Sequence, residues 1–123
     1  MELERRDEGQ VSVVRLRADR LDAAIAVRFK EAFREAARGA RPRVLLDMGE
    51  VDFMDSSGLG AVVAIYKLLG AEHSFELAGL SPGVDRVFRL TRMDSVFTIH
   101  ADVAAALAGA GGGAGGADAR KTA

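Results

Sequence analysis

Cysteine and tryptophan are absent from this 123-residue chain, proline and histidine occur twice each, and tyrosine occurs once. Without cysteine there is neither a disulfide scaffold nor thiol chemistry. The two histidines, His73 and His100, supply little for a metal centre, and no H-E-x-x-H spacing occurs. Each is expected on the surface, in a turn or at a strand end. No run approaches the roughly 18 apolar residues that a membrane-spanning helix needs. The start, Met1-Glu2-Leu3-Glu4-Arg5-Arg6, has no apolar signal core. Charge of one sign is also lacking: 17 basic against 18 acidic residues leave a net −1, and the arginines are scattered. That balance gives no reason to expect nucleic acid or an anionic membrane as the main partner. The expected location is cytoplasmic.

What is present is ordinary for a globular chain of one domain, with 49% apolar and 28% charged residues. A strand is expected over residues 11–16, paired with a shorter one near Leu3. Ile25, Phe29, Phe33 and Ala36 recur at helical spacing, which predicts an amphipathic helix over 23–38 with Asp22 placed to cap it. Gly39 and Pro42 stop that helix. Val44 to Met48 is nearly all apolar and short, as in a strand buried on both faces. A helix from about Ser57 to Leu69, a strand over 75–78, a helix opened by Ser81-Pro82, a strand over 96–99 and a helix over 102–107 complete the order. Strands alternating with helices indicate an α/β fold with a mixed or largely parallel sheet. From Gly109 the chain is almost entirely glycine and alanine, too poor in apolar surface to offset its ordering entropy, so 109–123 is read as a flexible tail.

The most informative stretch is Phe53-Met54-Asp55-Ser56-Ser57-Gly58-Leu59-Gly60, between the strand-like 44–48 run and the helix-like run from Ala61. A serine at such a junction is most often only a helix cap. The junction also places a hydroxyl at a helix N-terminus, where free N–H groups and the dipole favour added negative charge. Both readings can hold at once, with Ser57 capping and Ser56 facing solvent. Gly58 and Gly60 leave room for another backbone to approach, and Leu59 between them is the expected exposed apolar contact. Three catalytic readings fail. Gly58-Leu59-Gly60 does not extend to a dinucleotide fingerprint, because Val63 takes the third glycine position. No phosphate-gripping P-loop occurs, and Met54 breaks the G-x-S-x-G elbow of a serine hydrolase. The chain is therefore not expected to be an enzyme.

Asp55-Ser56-Ser57-Gly58-Leu59-Gly60, approached through Phe53 and Met54, resembles the signature of STAS-domain anti-sigma factor antagonists. These are small bacterial regulators whose serine is phosphorylated by a partner anti-sigma kinase. The resemblance implies a STAS-like sheet of four to five strands flanked by helices, with the STAS domain over 1–108. It implies Ser56 as the phosphorylated residue, with Asp22, Asp55, Ser57, Gly58, Leu59 and Gly60 at the partner-binding surface. The implied partners are an anti-sigma factor serine kinase and a phosphatase that restores phosphorylated Ser56, with no cofactor and no direct membrane contact. Asp22, in Arg20-Leu21-Asp22, resembles the family's acid beside the phosphorylation loop; its plain reading is the helix cap. The pattern is broken at Asp19 and at Arg92, where glycine is frequent, and by the missing hydroxyl residue in Ala23-Ala24-Ile25. Two alternatives fit the same fold: a STAS subunit of a membrane transport assembly, and a stand-alone ligand sensor.

Overall fold

Alternation governs the first hairpin. A computed structural model describes residues 1–109, so nearly all of the tail expected over 109–123 lies outside the described residues. In β2 (Val11–Arg17), Ser12, Val14 and Leu16 point to one side of the sheet and Val11, Val13 and Arg15 to the other. β1 (Glu2–Glu8) pairs with it antiparallel from Glu2↔Arg17 to Glu8↔Val11, and Gly9 turns the chain at φ +59°. β1 is longer than the short segment expected near Leu3. Its residues are almost all charged, so no apolar period marks it, and charge on an edge strand guards against pairing with other chains. Arg5 anchors it by donating to the carbonyls of Ala36, Arg38 and Gly39.

The remaining strands are parallel. β4 (Arg43–Asp47), β6 (Ser74–Ala78) and β7 (Thr98–His100) extend the sheet in the order β1-β2-β4-β6-β7. Every residue of β4 is buried. A separate pair, β3 (Arg20–Leu21) with β5 (Phe53–Met54), is also parallel. One face of the sheet packs under α1 (Ala26–Ala36), α2 (Ser56–Leu69) and α3 (Pro82–Leu90), where the main core lies. The other face carries a smaller cluster of Val11, Val13, Leu45 and Ala78 beneath Ala106 of α4 (Val103–Ala108). Five of the six phenylalanines (29, 33, 75, 88 and 97) join one edge-to-face chain with centroids 5.7–6.0 Å apart. Phe53 is the exception, at 42% exposure.

Caps were only partly legible. Ser81 accepts from the Val84 N–H, as the sequence leads one to expect, and Asp102, expected inside the last helix, instead precedes it and accepts from the Ala105 N–H. Asp22 does not cap α1. That helix starts at Ala26 rather than 23, after a turn in which the Asp22 carbonyl accepts from the N–H groups of Ile25 and Ala26. The last strand begins at Thr98 rather than 96, because a one-turn helix (Met93–Ser95) precedes it and Phe97 is drawn into the core.

The expectation of surface histidines is corrected by the environments of both rings. His100 is almost buried, 2.8 Å from Glu76, and His73 is half-buried with Nδ1 enclosed. Arg92 stands at φ +65°, the one non-glycine left-handed residue described. An L-residue there costs roughly 1–2 kcal/mol, only partly offset by glycine's greater entropy loss. Arg92→Gly is therefore expected to stabilise the protein by about 0.5–1 kcal/mol, read as a higher urea midpoint at unchanged m-value.

Candidate functional site

The junction between β5 and α2 is built by one carboxylate. Asp55 is the residue before α2 and its Oδ1 accepts from the Gly58 N–H at 2.9 Å, closing the first turn. Its Oδ2 accepts from the Ala23 N–H at 3.1 Å, so the same side chain ties the α2 N-terminus to the loop after β3. Those donors, Gly58 first and then Ala23, outweigh the opposing desolvation and hold the Asp55 carboxyl below its ordinary range. Asp55 is thus charged at neutral pH and fixed at both oxygens.

Ser57 is not the cap. Asp55 takes that role, and Ser56 and Ser57 become the first two helical residues, both exposed. The fold leaves the Ser56 hydroxyl free of capping work, at a helix end with a favourable field for an anion. Gly58 is buried, and a Cβ placed there would lie 2.0 Å from the Leu21 carbonyl oxygen. The close approach is made by the chain's own backbone, not by a partner. At Gly60 the same construction meets nothing within 4 Å, and this position is exposed. Leu59 is half-buried and packs against the main core, which corrects its reading as an exposed contact.

Asp22 stands beside this turn. Its Oδ1 accepts from the Ala24 N–H at 3.1 Å and its Oδ2 from Arg20 Nε at 3.2 Å. Asp22 and Asp55 therefore bracket residue 23 and place two carboxylates by the α2 N-terminus. Asp47 is committed elsewhere, to the Gly49 N–H and Arg15.

Two residues of this surface are not predicted by the sequence reading. Arg20 and Phe53 are register partners in the β3–β5 pair, and the guanidinium carbon sits 4.3 Å from the ring centroid. Their neighbours Leu21 and Met54 point into the core. The signal was present as a repeated phrase: Arg20-Leu21-Asp22 and Phe53-Met54-Asp55 each run exposed, buried, acidic. Two-residue strands are too short for periodicity to reveal.

Among the described residues, no group of three or more His, Asp or Glu side chains could hold a metal ion, and no helix is long and apolar enough to cross a membrane.

Comparison with known proteins gives this geometry a family. The model described as "STAS domain" matches residues 2–106. A protein of Listeria monocytogenes named anti-sigma-B factor antagonist is 32% identical over 102 residues, 80% of this chain and 86% of that one. A solved anti-sigma-factor antagonist (STAS) domain protein from Planctomyces limnophilus superposes with a TM-score of 0.79 at 27% identity, covering 87% of this chain and 96% of that one. An anti-sigma factor antagonist from Mycobacterium paratuberculosis gives 0.77 at 27% identity, covering 86% and 90%. On these matches in sequence and fold, the chain belongs to the STAS-domain anti-sigma factor antagonist family.

Proposed function

We propose that this chain antagonises an anti-sigma factor by binding it, that the anti-sigma factor is a serine kinase, and that phosphorylation of Ser56 ends the interaction. The observation that carries the reading is that Asp55, not a serine, caps α2, which leaves Ser56 exposed at the first helical position with no structural duty. Phosphorylation adds about −1.5 to −2 charges and three strong acceptor oxygens. The helix end tolerates that charge, so the domain stays folded. A partner interface closing over the same spot would have to desolvate it beside Asp22 and Asp55, and like charges brought together there repel. One modification then changes association while leaving architecture alone. In this scheme the chain is a substrate of catalysis; ATP and its magnesium belong to the kinase, and a separate phosphatase restores the hydroxyl.

Ser56→Asp and Ser56→Ala test this against a cognate anti-sigma kinase by calorimetry and by mass spectrometry of the Ser56 peptide after incubation with ATP. Ser56→Asp is expected to keep the wild-type circular dichroism spectrum and to bind at least about tenfold more weakly, a difference of ~1.4 kcal/mol. Ser56→Ala is expected to bind and to accept no phosphate. An Asp variant that unfolds, or that binds as tightly as wild type, would sink the mechanism. Phosphate found on another residue, with Ser56 untouched, would reassign the site.

A further inference from the structure

The opposite end of α2 borders a cavity. It has a volume of about 470 Å³ and opens where the helix ends in the turn Gly70–Glu72 and the chain enters β6. That is within the range of small-molecule sites, roughly 300–1,000 Å³. It is separated from Ser56 by the 14-residue length of α2, about 20 Å, and owes nothing to the Ser56 reading.

Its walls have a definite chemistry. Phe75, Val96 and the ring of Tyr66 supply apolar surface. Lys67, the only charged residue of α2, supplies an ammonium, and Tyr66 and Thr98 supply hydroxyls. No lining residue is a carboxylate. Glu72, beside His73 in sequence, is exposed and outside the lining, and Ser74 Oγ already donates to Glu76 Oε2 at 3.0 Å.

His73 adds an independent sign. Its Nδ1 is enclosed with no hydrogen-bond partner, the one such side-chain atom among the described residues. An enclosed N–H without an acceptor costs more than an enclosed lone pair, so Nε2 rather than Nδ1 is the ring nitrogen suited to carry a proton. That leaves His73 as a further donor at the cavity. Donors and a cation line a partly apolar hollow whose lining contains no carboxylate.

We propose that this cavity binds a small organic anion, a carboxylate, sulfonate or phosphate carried on an apolar or aromatic body, with Lys67 and His73 holding the anionic group and Phe75, Val96 and Tyr66 the body. Two probes of like shape test it on the intact chain: anilinonaphthalene sulfonate, which is anionic, and N-phenylnaphthylamine, which is not. The sulfonate is expected to bind saturably and to shift the amide resonances of Lys67, Gly70 and Thr98. Lys67→Gln is expected to weaken it by about tenfold, the value of a charge-assisted hydrogen bond. Val96→Glu, which sets a carboxylate on the wall at a position 42% exposed, should weaken it further without unfolding the domain. The uncharged probe should bind at least about tenfold more weakly than the sulfonate. Equal affinity for the two probes, indifference to both substitutions, or shifts confined to another surface would each overturn the assignment.

Discussion

Gly58→Ala is expected to lower the stability of this protein by about 3 kcal/mol or more, the upper range for forcing atoms into packed space. The added methyl would fall 2.0 Å from the Leu21 carbonyl oxygen and 2.9 Å from its carbon, and both atoms are backbone. No rotamer change relieves such a contact, so either α2 or β3 must move. Moving β3 drags the loop at Ala23, whose N–H binds Asp55, and takes apart the arrangement that presents Ser56. A thermal midpoint lower by at least about 10 °C is expected for a domain of this size, together with weaker binding to the proposed anti-sigma partner. Gly60→Ala is the control. Its Cβ meets nothing within 4 Å, and the position is exposed within the helix. There alanine should stabilise by about 0.5–1 kcal/mol through helix propensity. Equal behaviour of the two variants would show that the Leu21–Gly58 approach does not constrain the site.

Glu76→Gln is expected to cost about 3–5 kcal/mol, the usual result of stripping one partner from a buried ion pair. Glu76 accepts from Arg43 Nε at 2.9 Å and Nη2 at 2.7 Å, from Ser74 Oγ at 3.0 Å, and from His100 Nε2 at 2.8 Å. Arg43 also donates to the Ala106 carbonyl at 3.2 Å, so the cluster ties three strands to α4. Gln removes the charge that balances the Arg43 guanidinium and turns one acceptor into a donor facing other donors. The double variant Arg43→Met with Glu76→Leu should recover much of the loss, because an apolar pair replaces the ionic one. Recovery is incomplete because His100 and Ser74 lose their acceptor. Urea titrations of the single and double variants measure both effects.

The same cluster sets an acid limit. Burial by itself would raise the Glu76 pKa, but the Arg43 and His100 hydrogen bonds outweigh it and bring the value below the ordinary 4.5. A carboxyl depressed on folding contributes stability that is fully present above its unfolded pKa and is lost as pH falls through the folded one. Wild type should therefore lose stability below about pH 4.5, and Glu76→Gln should show a flatter acid limb.

Legibility followed the length scale of the interaction. The strand expected over 44–48 and found over 43–47, the helix expected from about 57 to 69 and found over 56–69, and the Ser81 cap were readable, because each depends on residues within a turn or two of one another. β1 was underestimated since its residues are chosen for an edge rather than a core. The β3–β5 pair was unreadable: each strand has two residues, and its partner is 33 positions away. Asp22 and Ser57 were both assigned caps from local chemistry; α1 starts only at Ala26, beyond the Asp22 turn, and Asp55, two residues before Ser57, caps α2 while its other oxygen holds Ala23 across the fold. His100 gave no local hint of Glu76, which lies 24 residues earlier on the adjoining strand.

Sequence by itself determined the order of the main strands and helices, the family phrase around Ser56, and the absence of thiol chemistry. Tertiary structure alone decided which acid closes the turn, why Gly58 must lack a side chain, and where arginine meets phenylalanine beside the serine. The division has one physical cause: periodicity and capping are written within a few residues, whereas close backbone approach and charge pairing depend on segments that only folding brings together.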